Sequence, residues 1–175
     1  MGIVVAAVIV ATVTLQPVGP ARATYYSGGM WSAHFPIRSY SYNSTWQVPL
    51  DRALTNWYNT PTAAWIEKSA SAPSWLEASS FPDTWFGLYT PYGSGSGRYF
   101  RIQMNSRTLS ASSGGNFANW VTSSFTHELG HALSLNDNPP VAASASLMRH
   151  DRNRATLTTP QQYDINDVNN FYSSR

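Results

Sequence analysis

The chain has 175 residues, no cysteine, 11% charged residues and a formal net charge of +2. That length suits one domain with a sizeable core, and the missing cysteines exclude a disulfide framework, a thiol nucleophile and a cysteine latch on a metal. The densest basic run, "RHDRNR" at 149–154, reads as a solvated loop, so nucleic acid is not an expected partner.

In chain order, residues 3–15 form an apolar run, followed by "QPVGP" and then "ARA" at 21–23. The run falls short of the roughly 20 residues that span a bilayer, and A-x-A is a small-residue cleavage signal. A secretory signal peptide over 1–23 is therefore expected, although its start carries no positive charge. Cleavage leaves a secreted chain of residues 24–175 with no membrane contact. Residues 24–36 read as an irregular lead-in, and 37–175 as one domain. "IRSYSYNSTW" (37–46) carries a strand signal. "PLDRALTNWYNT" (49–60) opens on proline and spaces Leu50, Ala53, Leu54, Trp57 and Tyr58 as one face of a helix. "AAWIEKSA" (63–70) is a second strand, 71–84 a loop, and "WFGLYT" (85–90) and "RYFRIQM" (98–104) two strands joined by "PYGSGSG". After a polar stretch at 105–115, Asn116 is placed to cap a helix over 117–135. The last helix is expected within 159–172, with Thr159 as cap and Pro160 at its first position. The sum is an α+β domain with a mixed sheet.

The most specific stretch is "THELGHALSLND" at 126–137. Residues four apart on a helix stand one above the other, so His127 and His131 can face one metal ion. Glu128 projects from the adjoining edge, where it can reach a metal-bound water without binding the metal. The bland alternative is a buried amphipathic helix with two satisfied histidines. It leaves unexplained a glutamate set between Phe125 and Leu129. A catalytic zinc needs a third protein ligand. No glutamate follows Glu128, which leaves Asp137, His150, Asp151, Asp164 and Asp167. Asp137 can reach the metal only if the chain leaves the helix and turns back, and "NDNPP" at 136–140 supplies that stop.

"HELGHALSLND" resembles the metzincin signature H-E-x-x-H-x-x-G-x-x-H/D, in the aspartate form of snapalysin-type secreted bacterial proteases, and "LTTPQQYDINDVNNFY" resembles the last helix of matrixin-like domains. The resemblance covers about residues 37–175. It implies a twisted, mostly parallel sheet with one antiparallel edge strand, an active-site helix and a C-terminal helix. It also implies one catalytic Zn2+ on His127, His131 and Asp137, with Glu128 as general base in peptide-bond hydrolysis of a peptide or protein substrate. Met148 in "ASLMRHD" would form a methionine turn under the metal, although a methionine is as readily a core filler. His150 stands where some relatives carry a tyrosine near the metal, and could donate to a developing oxyanion; otherwise it is a surface histidine. One departure stands out. The glycine of the signature is Ser134 here, costing about 1 kcal/mol or more if the turn needs a left-handed backbone.

The expectation is thus a monomeric, secreted zinc metalloendopeptidase. One alternative is an aspzincin-type site completed by a later aspartate such as Asp151 or Asp164. Another is a non-catalytic secreted binding module that uses the aromatics of "TYYSGGMW" (24–31). No acidic cluster builds a calcium loop, so a structural Ca2+ has no support.

Overall fold

The computed structural model describes residues 25–138 and 145–173; the expected signal peptide lies outside them. Five strands and four α-helices follow in the order β1 (His34–Arg38), α1 (Ser44–Tyr58), β2 (Trp65–Ser69), β3 (Trp75–Ser79), β4 (Gly87–Tyr92), β5 (Tyr99–Asn105), α2 (Ser106–Ser113), α3 (Phe117–Ala132) and α4 (Gln162–Tyr172). No helix among the described residues is long and apolar enough to cross a membrane.

Strands β1 and β2 pair in parallel, with Phe35 opposite Ile66. The crossover between them is α1, as a parallel pair requires. Strand β5 lies between β3, parallel to it, and β4, antiparallel to it. A backbone bond from Arg38 N to Ser74 O (2.7 Å) ties the end of β1 to the start of β3. Alternation along β1 and β5 sends Phe35, Ile37, Phe100, Ile102 and Met104 into the core. The β4–β5 hairpin turns through Gly93 and Gly95, both at positive φ (66° and 54°), which suits residues without a Cβ.

Helix α1 packs against α3 through Leu50, Ala53, Leu54 and Trp57. Polar bonds fix the pairing: Trp57 Nε1 donates to Thr126 O (2.9 Å), Asn56 Nδ2 donates to Thr126 Oγ1 (3.2 Å), and Thr122 Oγ1 donates to Pro49 O (3.1 Å). From Val121 to Gly130, α3 is buried on every side. Such a helix is central to its core, and its polar residues need internal partners.

Several expected boundaries are corrected. Strand β1 begins at His34, inside the expected irregular lead-in, and residues 39–46 are not strand. The helix expected from Pro49 starts at Ser44, because Asn43 Oδ1 accepts from Trp46 N (3.3 Å) and sets the cap one turn earlier. Strand β3 lies in the expected loop 71–84, and α2 in the polar stretch 105–115. Serines and Pro73 mask the short apolar pattern of β3, and α2 has few apolar residues to reveal it. Asn116 makes no side-chain cap on α3, which ends at Ala132. The cap of α4 is Gln161, in a reciprocal box with Asp164.

Trp57 is fully buried and its indole N–H has one partner, the Thr126 carbonyl. Trp57→Phe should lower unfolding free energy by roughly 1–3 kcal/mol in urea titrations, from lost volume and one lost hydrogen bond. A change within error would show that the indole does not lock α1 to α3.

Candidate metal centre

The site begins with the way α3 ends. Ser134 N donates to His131 O and Leu135 N to Gly130 O, both at 3.0 Å, the paired bonds of a Schellman cap. That cap needs a left-handed residue, and Ser134 supplies it at φ 65°. The turn therefore does carry the strain that replacing glycine by serine implies. It is reinforced from the other end of the described chain: Tyr26 N donates to Ser134 O (2.8 Å) and Met30 N to Ala132 O (2.7 Å).

After the turn the chain doubles back and brings Asp137 to the histidines. Ligand-capable atoms of His127, His131 and Asp137 lie within 4.8 Å of one another. Asp137 Oδ1 stands 3.2 Å from His127 Nε2 and 3.7 Å from His131 Nε2. The opposite ring nitrogens are held by backbone: His127 Nδ1 lies 3.0 Å from Leu147 O, and His131 Nδ1 2.9 Å from Leu135 O. A carbonyl oxygen only accepts, so each Nδ1–H donates to it, which turns each Nε2 toward Asp137. Burial, followed by the charge of Arg152, keeps the His127 imidazole neutral by pulling its pKa down to about 3. Burial works against ionisation of Asp137, yet the histidines outweigh it and hold the carboxyl at about 2. Its Oδ1 is buried with no hydrogen-bond donor. Two imidazole nitrogens and a carboxylate oxygen thus converge, an arrangement that fits a divalent cation. The N2O donor set and backbone-oriented imidazoles suit zinc.

Glu128 lies beside this cluster, buried between α3 and β4. A Cβ on Gly87 would come within 2.5 Å of its Oε1, so the strand approaches the carboxyl only because residue 87 is glycine. Burial raises the Glu128 pKa to about 7, although His131, Arg152 and a bond from the Tyr89 backbone oppose the rise. Its carboxyl is therefore poised to exchange a proton near neutrality. Glu128, His127, His131 and Asp137 open together on a cleft of about 320 Å3 walled by Tyr26, Trp85 and Leu88.

Met148 is fully buried, and its Sδ occupies the space that a Cβ on Gly130 would need. The glycine inside the motif thus makes room for it. His150 is also brought in. Its Nε2 lies 3.1 Å from Asp137 Oδ2, while its side chain is 69% exposed.

The aspartates of the aspzincin alternative are placed elsewhere, which corrects that expectation. Asp151 pairs with Arg149 (2.7 Å). Asp164 accepts from Ser146 Oγ, Leu147 N (2.7 Å) and Gln161 N (2.8 Å), so it steadies the loop whose Leu147 carbonyl orients His127. Asp167 is outside the cluster as well. Sequence reasoning missed the supporting role of Asp164, and nothing in its local sequence announced it. It also missed Gly87, for which a lone glycine inside a strand pattern was an available signal of close approach.

No family model matches this chain, and no curated protein does. Solved structures do match. One, described as the GM1-bound form of the ECX AB5 holotoxin, has a chain that aligns with a TM-score of 0.57, over 84% of this chain and 83% of that one, at 12% identity. At that identity the likeness shows the fold alone. It corrects the assignment to snapalysin-like or matrixin-like metzincins and the reading as a secreted zinc endopeptidase. No family model supports that membership, and the matched structure is described as a ganglioside-bound toxin assembly, not as a peptidase.

Two predictions follow from the geometry of the cluster. Ser134→Gly should change stability by less than about 1 kcal/mol, since relief of strain is offset by glycine entropy, whereas the β-branched Ser134→Val should lose roughly 2 kcal/mol and weaken zinc binding. Calorimetry and zinc titration of both variants check this; equal behaviour would remove the turn as the determinant of Asp137. The second concerns pH in metal-free protein. Between its unfolded pKa of 4.5 and about 7, Glu128 keeps in the folded state a proton that the unfolded chain releases. Its contribution is complete below the lower value and lost as pH rises through the upper one, on the order of 3 kcal/mol. Urea titrations at pH 5 and pH 8 should show the parent losing stability relative to Glu128→Gln by about that amount, because His127, buried neutral, moves stability the opposite way in both proteins; parallel pH dependence would refute the assignment.

Proposed function

We propose that this chain is a zinc-dependent hydrolase domain, with His127, His131 and Asp137 as metal ligands and Glu128 as the proton-transferring base. The observation that carries the reading is the convergence of the His127 and His131 Nε2 atoms on Asp137 Oδ1, beside the buried carboxyl of Glu128. When bound, zinc supplies Lewis acidity, polarising a substrate oxygen and making water easier to deprotonate. The protein's part is positional. Leu147 and Leu135 carbonyls aim the imidazoles, Met148 fills the space beside Gly130, and Gly87 lets β4 close against Glu128. Glu128 takes a proton from the attacking water and returns it to the leaving group. His150, across Asp137 and largely exposed, is placed to donate to a developing oxyanion. The apolar segment 3–15 and the "ARA" that follows support export, and the proposal takes the exported chain as a monomer.

A second reading, a non-catalytic binding module with a structural metal, is favoured by the likeness to a GM1-bound assembly. Exposed aromatic rings suited to sugar stacking support it: Trp31 (58% exposed), Tyr58 and Trp65, the latter two with centroids 4.9 Å apart.

Metal analysis of purified protein, joined to a panel of chromogenic esters and fluorogenic amides, tests the first reading. Near one equivalent of zinc is expected, strongly reduced in His127→Ala and Asp137→Ala. Glu128→Gln should keep zinc and lose at least about a hundredfold in hydrolysis. A chain that binds no zinc overturns the proposal. Zinc without hydrolysis, together with saturable tryptophan-fluorescence change on adding the GM1 oligosaccharide, establishes the second reading instead.

A further inference from the structure

A second cleft of about 370 Å3 lies on the other side of Glu128, between the segment leading into β4 and the loop that follows Met148. Trp85 and Phe86 wall it, and Ser124, Arg152 and Arg154 line it together with His127 and Glu128. The two arginines differ in how they are used. Arg152 is buried and spent: its guanidinium donates to Ser123 Oγ (3.1 Å), Ser123 O (3.3 Å) and Arg149 O (2.7 Å). Arg154 makes no hydrogen bond or ion pair among the described residues. It lies over the Phe86 ring at 4.6 Å and the Trp120 ring at 5.7 Å, and its Nε is buried without a partner.

A second unused donor faces the same space. Ser124 is 1% exposed, and its Oγ is buried with no hydrogen-bond partner, although many helical serines bond back to their own helix. Buried donors left unmatched cost stability, so two of them in one cleft mark where an acceptor belongs. The charge balance agrees. Arg152 and Arg154 face a single acidic group in the cleft lining, Glu128. Stacking on two rings fixes the Arg154 guanidinium in orientation while leaving its edge free, which suits planar recognition of a carboxylate.

We propose that this cleft is a specificity pocket for a carboxylate-bearing group of the ligand, read by Arg154 and Ser124. The inference rests on the metal-centre reading only in placing that group next to a bond held at the zinc; the pocket itself needs no metal.

The test uses zinc-loaded full chain and two hydroxamates that differ only in a short arm ending in carboxylate or in carboxamide. Calorimetric titration should show the carboxylate form binding at least about tenfold more tightly. In Arg154→Gln the ratio should fall to near one, with partial recovery in Arg154→Lys. Ser124→Ala, which removes a hydroxyl that no group in the fold uses, should lower the ratio without loss of thermal stability. If both hydroxamates bind alike in the parent, the pocket inference falls while the metal centre stands. If zinc is not held, the metal centre falls, and phenylacetate against phenylacetamide then decides the pocket: preference for the acid, lost in Arg154→Gln, supports it, and equal binding overturns it.

Discussion

The structure turns on two backbone carbonyls. Leu147 O and Leu135 O each accept a hydrogen bond from the Nδ1 of a histidine, and this turns the two Nε2 atoms toward one carboxylate oxygen. Everything nearby serves to hold those carbonyls. Asp164 on α4 grips Leu147 N and Ser146, so the last helix reaches the first histidine through the loop between them. Asn138 N bonds Met148 O (2.9 Å), joining the Asp137 segment to that loop. The second carbonyl belongs to the residue after the left-handed Ser134, so the position of His131 depends on a strained turn being kept.

Much of the site was legible because helical spacing is a local rule. His127 and His131 had to share a face, Glu128 had to stand beside it, and "NDNPP" had to end the helix before Asp137. What could not be read was whatever depended on distant chain. Asp164 carries no local mark of its role, and Arg154 and Ser124 meet in a cleft only through the packing of α3, the approach to β4 and the loop after Met148. The fold was legible where side chains alternate or recur strongly, as in α1, β2 and β5. It failed where short elements carry few apolar residues: β3 among serines, and α2 in a polar run. The shift of α1 to Ser44 has a different cause, since a capping asparagine outweighed the proline as the start signal.

Resemblance proved a weaker guide to family than to which side chains would meet. The motif at 126–137 predicted which side chains would converge. It did not predict what known proteins the whole chain would match, and 12% identity to a toxin assembly leaves the activity to be decided at the site. The polar residues buried along α3 have a similar lesson. Thr122 and Ser123 donate to Pro49 O and Leu157 O and so weld the helix to its neighbours, Thr126 bonds back to Thr122 O within the helix, and Ser124 has neither kind of partner.

The segment before β1 has a consequence for how the domain is delimited. Its Tyr26 and Met30 amides occupy the carbonyls of Ser134 and Ala132, and Arg98 reaches across to Ser27 O and Gly29 O (2.5 and 2.7 Å). Tyr26 also sets its ring 5.6 Å from that of His131. Residues that read as a mere approach to the fold are in effect the missing last turn of a helix a hundred positions away. The turn that sets His131 is therefore braced by the segment from Tyr26 to Met30 as well as by its own helix.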